Sequence, residues 1–597
     1  MCGIFGVVTS NRKGLAQTIL ESLKLLEYRG YDSWGIAVAV QSQSEKSKSK
    51  FVIEKHTGKI GNSTLNHELS SINSPLGLGH TRWATHGGVT VENAHPHLDC
   101  RKNIALVHNG IVENFEELKK GLDNKHYFRS QTDTEVIVHL IEELAQNLPF
   151  AEGVRQAFLK LQGLNAIVTL SSSDQKIIAV KNGSPLVIGQ GKVSNYIASD
   201  QVALTSLCNQ IAYLPDNTLV EISLKIRSTN ARTKTITKLE FTAPKIKSSD
   251  AKLDGFDHFM AKEIHEQPKV ISQIAQKSDG EIKKAAAMIK HLPAGRQVYL
   301  VGAGSAFYAA LIMEYLLSTV NNIPSLAVPA SEFENVQNFL KKGDLVIAYS
   351  QSGETADLIS ALGAALQKGA TIMSVVNVAD STIDRMSDHS IHLNAGPEIA
   401  VVSTKAFSAK IAVSLLICYS ITKKIAQAKR IIKKLSKSLK IQLKDPKIKE
   451  LAIKLKNQPN LFTIGRNIDY PIALEAALKL KETAYIHAEG FAAGELKHGV
   501  IALIEKGTPV LVFATIPKYR QQIISSAWEL AARGAYIIGI STEKNSAFNY
   551  FLKVPEVGLA QIISAVVYAQ YLAYLIAVKR GLDPDKPRNL AKSVTVK

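Results

Sequence analysis

Cysteine is scarce in this chain: 597 residues hold four, Cys2, Cys100, Cys208 and Cys418, and no two stand in a CxxC spacing. That excludes a disulfide framework and leaves no recognisable zinc spacing, so no metal is expected. Acidic residues are also few, 52 against 71 Lys and Arg, for a formal charge of +19. Such a balance raises nucleic acid or a membrane surface as partners, but its distribution argues against both. Residues 423–456 carry 13 basic against 2 acidic side chains and 225–252 carry 8 against 2, so these stretches hold 17 of the 19 charges. The first reads as a helical connector with apolar residues threaded through lysines, the second as a strand and linker. Neither lies beside aromatics for base stacking, and each reads as a solvated face.

Other absences narrow the chemistry. No GxxxxGK[ST] loop occurs, so ATP use is unsupported. Gly302-Ala303-Gly304-Ser305 is not a dinucleotide fingerprint, because Phe307 takes the place of the third glycine. No cofactor is expected. The chain opens MCGIFGVV with no charged leader ahead of an apolar run, so a cytoplasmic protein is expected. One long apolar run exists, 559–578, with 17 of 20 residues apolar and Gln561, Ser564 and Gln570 inside it. It is expected to form a helix buried in a core or a subunit interface, not a membrane span.

What remains is the composition of a globular enzyme, 46% hydrophobic and 21% charged, at about four times the length of one domain. Residues 1–240 show short alternating runs and turn signals mixed with helical stretches, an α+β pattern rich in sheet. A linker with Pro244, Ser248 and Ser249 follows within a lead-in of 241–280. The rest contains a repeat: Gln297 against Asn460, Gly343 against Gly507 and Lys368 against Arg533 begin similar strands at offsets of 163, 164 and 165. This predicts a duplicated α/β unit with parallel sheets, one over 281–425 and one over 451–580, joined by a basic connector at 426–450 and followed by a tail at 581–597.

The chemistry-bearing residues fall at the ends of these strands. Removal of Met1 would leave Cys2 with a thiol and an α-amine of reference pKa about 7.7–8.0, a nucleophile and base in one residue. His80-Thr81-Arg82-Trp83-Ala84-Thr85-His86-Gly87 gathers hydrogen-bonding groups and a guanidinium suited to a carboxylate. His108-Asn109-Gly110 follows the predicted strand 104–107, where a glycine amide and the Asn109 side chain could hold an oxyanion. Asp133, just inside a helix start, could meet a substrate ammonium. This set suits an α-amino acid with a side-chain amide. Later in the chain, Ser350-Gln351-Ser352-Gly353-Glu354-Thr355 links a buried strand to a helix start, an anion site by its hydroxyls and amides, or simply a cap. Lys479 and Glu482 share a helix face and, taken alone, read as a surface ion pair. Lys592, near the carboxyl terminus, would ordinarily be solvated.

Cys2-Gly3-Ile4, Tyr28-Arg29-Gly30-Tyr31-Asp32-Ser33, the 80–87 run, His108-Asn109-Gly110 and the TDTE run at 132–135 resemble the class II (N-terminal nucleophile) glutamine amidotransferase domain. SQSGET at 350–355, STKAF at 403–407, ELKHG at 495–499 and RNLAKSVTV at 588–596 resemble the two sugar isomerase domains of the isomerizing glutamine:fructose-6-phosphate amidotransferase family. Together the resemblances cover essentially the full length. They imply an αββα amino-terminal domain followed by two α/β parallel-sheet sugar isomerase domains. They imply Cys2 as nucleophile, Asn109 and Gly110 as oxyanion hole, Arg82, Thr85, His86 and Asp133 as glutamine-binding, and Trp83 as a gate for ammonia. For the sugar phosphate they imply Ser350, Gln351, Ser352 and Thr355, with Val401 by its backbone. Lys592 would form a Schiff base, Glu482 would move protons between C1 and C2, His498 would assist ring opening from a neighbouring subunit, and Lys479 would support the enolate. The implied reaction transfers the amide nitrogen of L-glutamine to D-fructose 6-phosphate, giving glucosamine 6-phosphate and glutamate at the start of amino-sugar biosynthesis, in a homodimer. The family's usual Gly-Thr-Ser is Gly304-Ser305-Ala306 here, so one phosphate-contacting hydroxyl is lost, and either Ser305 replaces it or phosphate affinity is weaker. A phosphoribosyl-type amidotransferase, a sugar-phosphate sensor, and an uncoupled glutaminase with isomerase activity remain open as alternatives.

Overall fold

The computed structural model describes residues 2–40, 50–122, 125–244, 252–277 and 279–595. Met1 and the linker serines 248 and 249 lie outside the described residues. The chain divides into two compact units, Met1–Ala251 with Ala591–Lys597, and Lys252–Leu590.

The first unit stacks two antiparallel sheets. One runs in the order Gln210–Tyr213, Val187–Gln190, Ser194–Ala198, Gly3–Thr9, Leu76–Arg82, Ser33–Val40, Lys50–Thr57; the other runs Ile226–Asn230, Thr218–Ile222, Ile177–Asn182, Asn165–Ser171, Ile104–Gly110, His97–Leu98. Alternation along each strand feeds separate cores. Ile4, Val8, Val107 and Val168 meet between the sheets, Phe5 and Val7 pack toward the helix Leu15–Leu26, and Leu106 and Ile167 pack toward the helices Asp133–Leu144 and Phe150–Lys160. The resulting layers are helix, sheet, sheet and helix, as the resemblance implies. One expectation is corrected. His108-Asn109-Gly110 does not follow its strand but ends it, because pairing with Asn165–Ser171 continues to Gly110 opposite Asn165.

The second unit contains two parallel five-stranded sheets. In chain order within each sheet, both have the arrangement second, first, third, fourth, fifth: Ser325–Pro329, Val298–Gly302, Leu345–Ser350, Thr371–Val376, His389–His392, and His487–Ala492, Asn460–Gly465, Pro509–Ala514, Tyr536–Ser541, Tyr550–Lys553. The repeat in the sequence is therefore a repeat in topology. In this order the first and third strands flank the switch point, where diverging loops leave a crevice at the carboxyl ends. The helix Gln561–Lys579 is the long apolar run, and it is buried in the unit's own core beside residues from both sheets. Its burial is supplied by its own unit and needs no partner chain. The basic stretch forms the amphipathic helices Ile425–Gln442 and Pro446–Leu455, which bury Ile432, Leu435, Leu439 and Leu451.

The polar residues of the apolar helix are satisfied in pairs. Gln267 donates to Gln570 Oε1 at 2.8 Å, Gln570 donates to the Thr404 carbonyl at 3.2 Å, and Ser408 donates to Gln267. All three side chains are fully buried. Gln267→Leu leaves Gln570 Oε1 and the Ser408 hydroxyl without partners, each at a cost of about 1–3 kcal/mol. A clearly lowered urea midpoint for the second unit is expected; an unchanged midpoint would show that the network contributes nothing.

Candidate functional site

In the first unit, chemistry converges where strands from the two sheets end. Gly3–Thr9 pairs with Leu76–Arg82, placing Gly3 opposite Thr81. Cys2 therefore lies beside Trp83, whose N–H points to the Cys2 sulfur at 3.3 Å. From the other sheet, Asn109 Nδ2 donates to the Cys2 carbonyl at 2.8 Å. The orientation of that amide is fixed by His80, whose Nε2 lies 3.2 Å from Asn109 Oδ1 and 3.1 Å from the His108 carbonyl. Burial pushes the His80 pKa down to about 3, so the ring is neutral and its single proton at Nε2 faces two acceptors. Gly110 has φ +147, and a Cβ there would lie 2.4 Å from the Leu164 carbonyl. Only glycine fits that close approach without strain.

The surrounding residues hold the rim. Arg82 donates to the carbonyls of His86, Gly87 and Gly88, so it stakes the loop that carries Thr85 and His86. Burial lowers its pKa, opposed by the charges of Cys2, Asp133 and Asp32. Asp32 accepts from the Ala84 amide at 2.8 Å, and the Arg29–Asp200 pair, with Tyr28 on the same carboxylate, brings Arg29 Nε to the Cys2 carbonyl. Thr85 is exposed, while His86 is half-buried with its ring edge-on to Phe115. Asp133 is buried and accepts from the Val112 amide at 2.8 Å, two residues beyond Gly110. Cys2, Arg82, Trp83, His86, Asn109, Gly110 and Asp133 thus belong to one connected set.

In the second unit, Gly302-Ala303-Gly304-Ser305 and the 350–355 loop leave the first and third strands, on either side of the switch point. Ser350 Oγ accepts from the Gly353 amide at 2.9 Å and Ser352 Oγ from the Glu354 amide at 3.2 Å, curling the loop. Gly353 has φ +70, and a Cβ would collide with Ser381. Thr355 takes the N-cap position of the helix Ala356–Gln367 without a side-chain capping bond. Amides at such a terminus carry partial positive charge and favour an anion.

The Lys479–Glu482 pair is not a surface pair. Lys479 is fully buried, 2.5 Å from Glu482 Oε2 and 3.4 Å from Glu475 Oε1, and it donates to Ser305 Oγ at 2.9 Å. The helix Asp469–Ala484 thereby meets the start of the helix Ser305–Leu316 from the other repeat. Ser305 Oγ thus accepts from Lys479, so the hydroxyl expected at the phosphate is also part of this ion cluster. Glu475 escaped sequence reading, although its spacing of four from Lys479 put it on the same face. Desolvation raises its pKa to about 7, with Glu482 adding and Lys479 opposing. Val401 donates its N–H to the Asp585 carbonyl at 2.9 Å, in a loop held by the buried carboxylates Glu263 and Glu398. His498 is exposed at the end of the short helix Ala493–His498. Lys592 lies on the segment Ala591–Lys597 grouped with the first unit, so the structure does not place it in the same unit as Glu482.

Comparison with known proteins matches these two units. Residues 35–252 match the glutamine amidotransferase domain, and residues 292–418 and 454–579 each match the SIS domain. A glutamine–fructose-6-phosphate aminotransferase (isomerizing) of Pyrococcus horikoshii is 40% identical over 615 residues, covering 100% of both chains. This chain belongs to that family. The Staphylococcus epidermidis member is 39% identical over 613 residues, again covering 100% of both. Among solved structures, the C-terminal domain of the Francisella tularensis glucosamine-fructose-6-phosphate aminotransferase aligns with a TM-score of 0.51 at 29% identity, covering 56% of this chain and 100% of that one.

The raised Glu475 value has a consequence for stability. Its folded pKa of about 7 exceeds the ordinary 4.5, so ionisation is less favourable folded than unfolded. The protein therefore has its full contribution from this group below about 4.5 and loses it as pH rises through 7. Glu475→Gln should flatten the fall in stability between pH 5 and 8 by on the order of 1–3 kcal/mol, read from urea midpoints across pH. Asp469, also raised to about 7 by burial, keeps part of the slope. An identical slope in the variant would contradict the assignment.

Proposed function

We propose that the chain transfers the amide nitrogen of L-glutamine to D-fructose 6-phosphate, with ketose-to-aldose isomerisation, and yields glucosamine 6-phosphate and glutamate. The observation that carries this reading is the occurrence in one chain of the Cys2–Asn109 arrangement and of an anion loop at the switch point of an isomerase-type sheet.

At the first centre, the Cys2 sulfur attacks the glutamine amide carbon, and the Cys2 α-amine, freed by loss of Met1, takes the thiol proton. Asn109 Nδ2 and the Gly110 amide stabilise the tetrahedral oxyanion, the interaction that grows as charge develops. Ammonia leaves, and water hydrolyses the thioester to glutamate. Arg82, Thr85, His86 and Asp133 hold the amino acid, and Trp83 gates ammonia. Arg82's bonds to the 86–88 carbonyls support a role in shaping the pocket rim as well.

At the second centre, the 350–355 loop binds the phosphate through Ser350, Gln351, Ser352 and Thr355, with Val401 contributing its backbone. Lys592 opens the ketose as an iminium, and ammonia displaces the lysine to leave a C2 imine. Glu482 then moves a proton from C1 to C2. Its contact with buried Lys479 supports this role, because a fixed cation holds the carboxylate in place and stabilises the negative charge that develops on the enolate-like carbon frame. Ser305 positions Lys479. The water consumed at the thioester equals the water released in imine formation, so the transfer balances. Ammonia in bulk water would be protonated, which favours an enclosed route. A cytoplasmic homodimer is part of the reading: His498 is exposed on its own chain and available to a neighbour's sugar.

Amide-labelled glutamine supplied with fructose 6-phosphate should place label in hexosamine phosphate; label confined to free ammonia would contradict coupling. Lys592→Ala should abolish sugar turnover while glutamine hydrolysis persists, and unchanged hexosamine output would overturn the Schiff-base role.

A further inference from the structure

Away from both centres, four side chains from three segments of the first unit point at one another. Cys100 sits in the turn after the strand His97–Leu98, His126 in the segment leading to Asp133, and His139 and Glu142 lie three apart on the helix Asp133–Leu144. Cys100 Sγ is 3.6 Å from His126 Nδ1 and 3.6 Å from His139 Nδ1; Glu142 Oε2 is 3.1 Å from each of the same nitrogens. All four donor atoms lie within 4.8 Å of one another. A tetrahedral zinc ion with bonds of about 2.0–2.3 Å separates its donors by about 3.3–3.8 Å, close to the four spacings of 3.1–3.6 Å, so that only the remaining two pairs need draw in.

We propose that Cys100, His126, His139 and Glu142 form a structural site for a divalent transition metal of the zinc class. The donor set is one sulfur, two imidazole nitrogens and one carboxylate oxygen, a mixture that suits zinc rather than calcium or magnesium. Thiolate and carboxylate together neutralise a dication. Four protein ligands close the coordination sphere, leaving no open position for substrate chemistry.

The surroundings are built for it. The side chains of His126, His139 and Glu142 are 5%, 1% and 9% exposed, so water competes little, while Cys100 is exposed and gives a path of entry. The Cys100 turn is rigid: Asp99 Oδ1 accepts from the amides of Asn103 and Ile104 at 2.6 and 2.7 Å. His139 Nε2 is buried without a hydrogen-bond partner, yet Glu135 Oε1 lies 3.7 Å away. Binding through Nδ1 moves the His139 proton to Nε2, and a small approach then makes it a donor to Glu135, the carboxylate–histidine–metal arrangement that fixes a ligand's tautomer. Glu135 is itself fixed by the amides of Arg129 and Ser130. Binding forms one metal–sulfur, two metal–nitrogen and one metal–oxygen bond and releases the Cys100 thiol proton to solvent. No CxxC or HxxxH spacing announced the site because its ligands come from separate segments.

The ion would clamp the 125–132 segment onto the helix that begins at Asp133. Gln131 on that segment donates its amide N–H to Asn93 Oδ1, and Asn93 Nδ2 donates to the Gly88 carbonyl, so the clamp reaches the loop staked by Arg82.

The test uses the full-length chain, stripped by a chelator and titrated with Co2+, then Zn2+. One equivalent of Co2+ should give tetrahedral d–d bands and a thiolate-to-cobalt charge-transfer band, both removed by Zn2+. Cys100→Ser should lose the charge-transfer band with its circular dichroism unchanged, whereas Cys2→Ala should keep it. Glu135→Gln should retain the spectrum with affinity about 10- to 100-fold weaker. Zn2+ at a hundredfold excess over its dissociation constant should raise the folding constant of the wild-type first unit about 100-fold, with no such rise in His139→Ala. Absence of stoichiometric binding to the folded wild type, or a charge-transfer band that persists in Cys100→Ser, would overturn the site and leave a hydrogen-bonded cluster only.

Discussion

Two antiparallel sheets stacked face to face share one reactive end only if something ties their strand ends together. In this protein the tie is the hydrogen bond from Asn109 on one sheet to the Cys2 carbonyl on the other. Its direction depends on His80, which stays neutral because burial makes protonation unfavourable and which presents its only proton to Asn109 Oδ1. The amide nitrogen must then face Cys2. In a low-dielectric interior such a fixed dipole is worth more than the same group in water, and it needs no reorganisation when charge appears. The arms around it, Asp32 on Ala84, Arg29 on Cys2 and Arg82 on the 86–88 carbonyls, all limit the freedom of the same few residues.

The second unit depends on an interaction of the opposite kind, an ionic one. Duplication produced two sheets of identical order, but their loops have diverged: the first repeat keeps the serine-rich anion loop, and the second contributes Glu475, Lys479 and Glu482. A fully buried lysine is tolerable only with compensating carboxylates and a hydrogen bond, and Ser305 supplies that bond from the opposite repeat. Removing one carboxylate or Ser305 leaves part of the charge uncompensated. The cluster thus joins the two repeats and places Glu482 beside its cation.

Much of this was legible in the sequence, for identifiable reasons. The near-constant offsets between Gln297 and Asn460, Gly343 and Gly507, and Lys368 and Arg533 reflect strand spacing that duplication preserves, and the sheet orders agree. The four layers of the first unit were carried by resemblance, since alternation alone does not say which sheet faces which. Lys479 and Glu482 misled because spacing reports a shared helix face, not what covers it; the cover is Ser305, 174 residues earlier. The strand ending at Gly110 was cut short for a similar reason, its last pairs being made with a distant segment, Asn165–Ser171. Helix 561–579 was correctly read as buried, but its polar residues are satisfied inside its own unit and not across a subunit boundary.

The claim on which the account turns is that Cys2, as the first residue of the mature protein, carries the acyl group. The most direct measurement is mass spectrometry of active enzyme reacted with a diazoketone analogue of glutamine. The account predicts an amino-terminal peptide that begins at Cys2, with a free α-amine and one adduct on its sulfur. Methionine retained on fully active protein, or an adduct on Cys100, Cys208 or Cys418 with Cys2 unmodified, would contradict it.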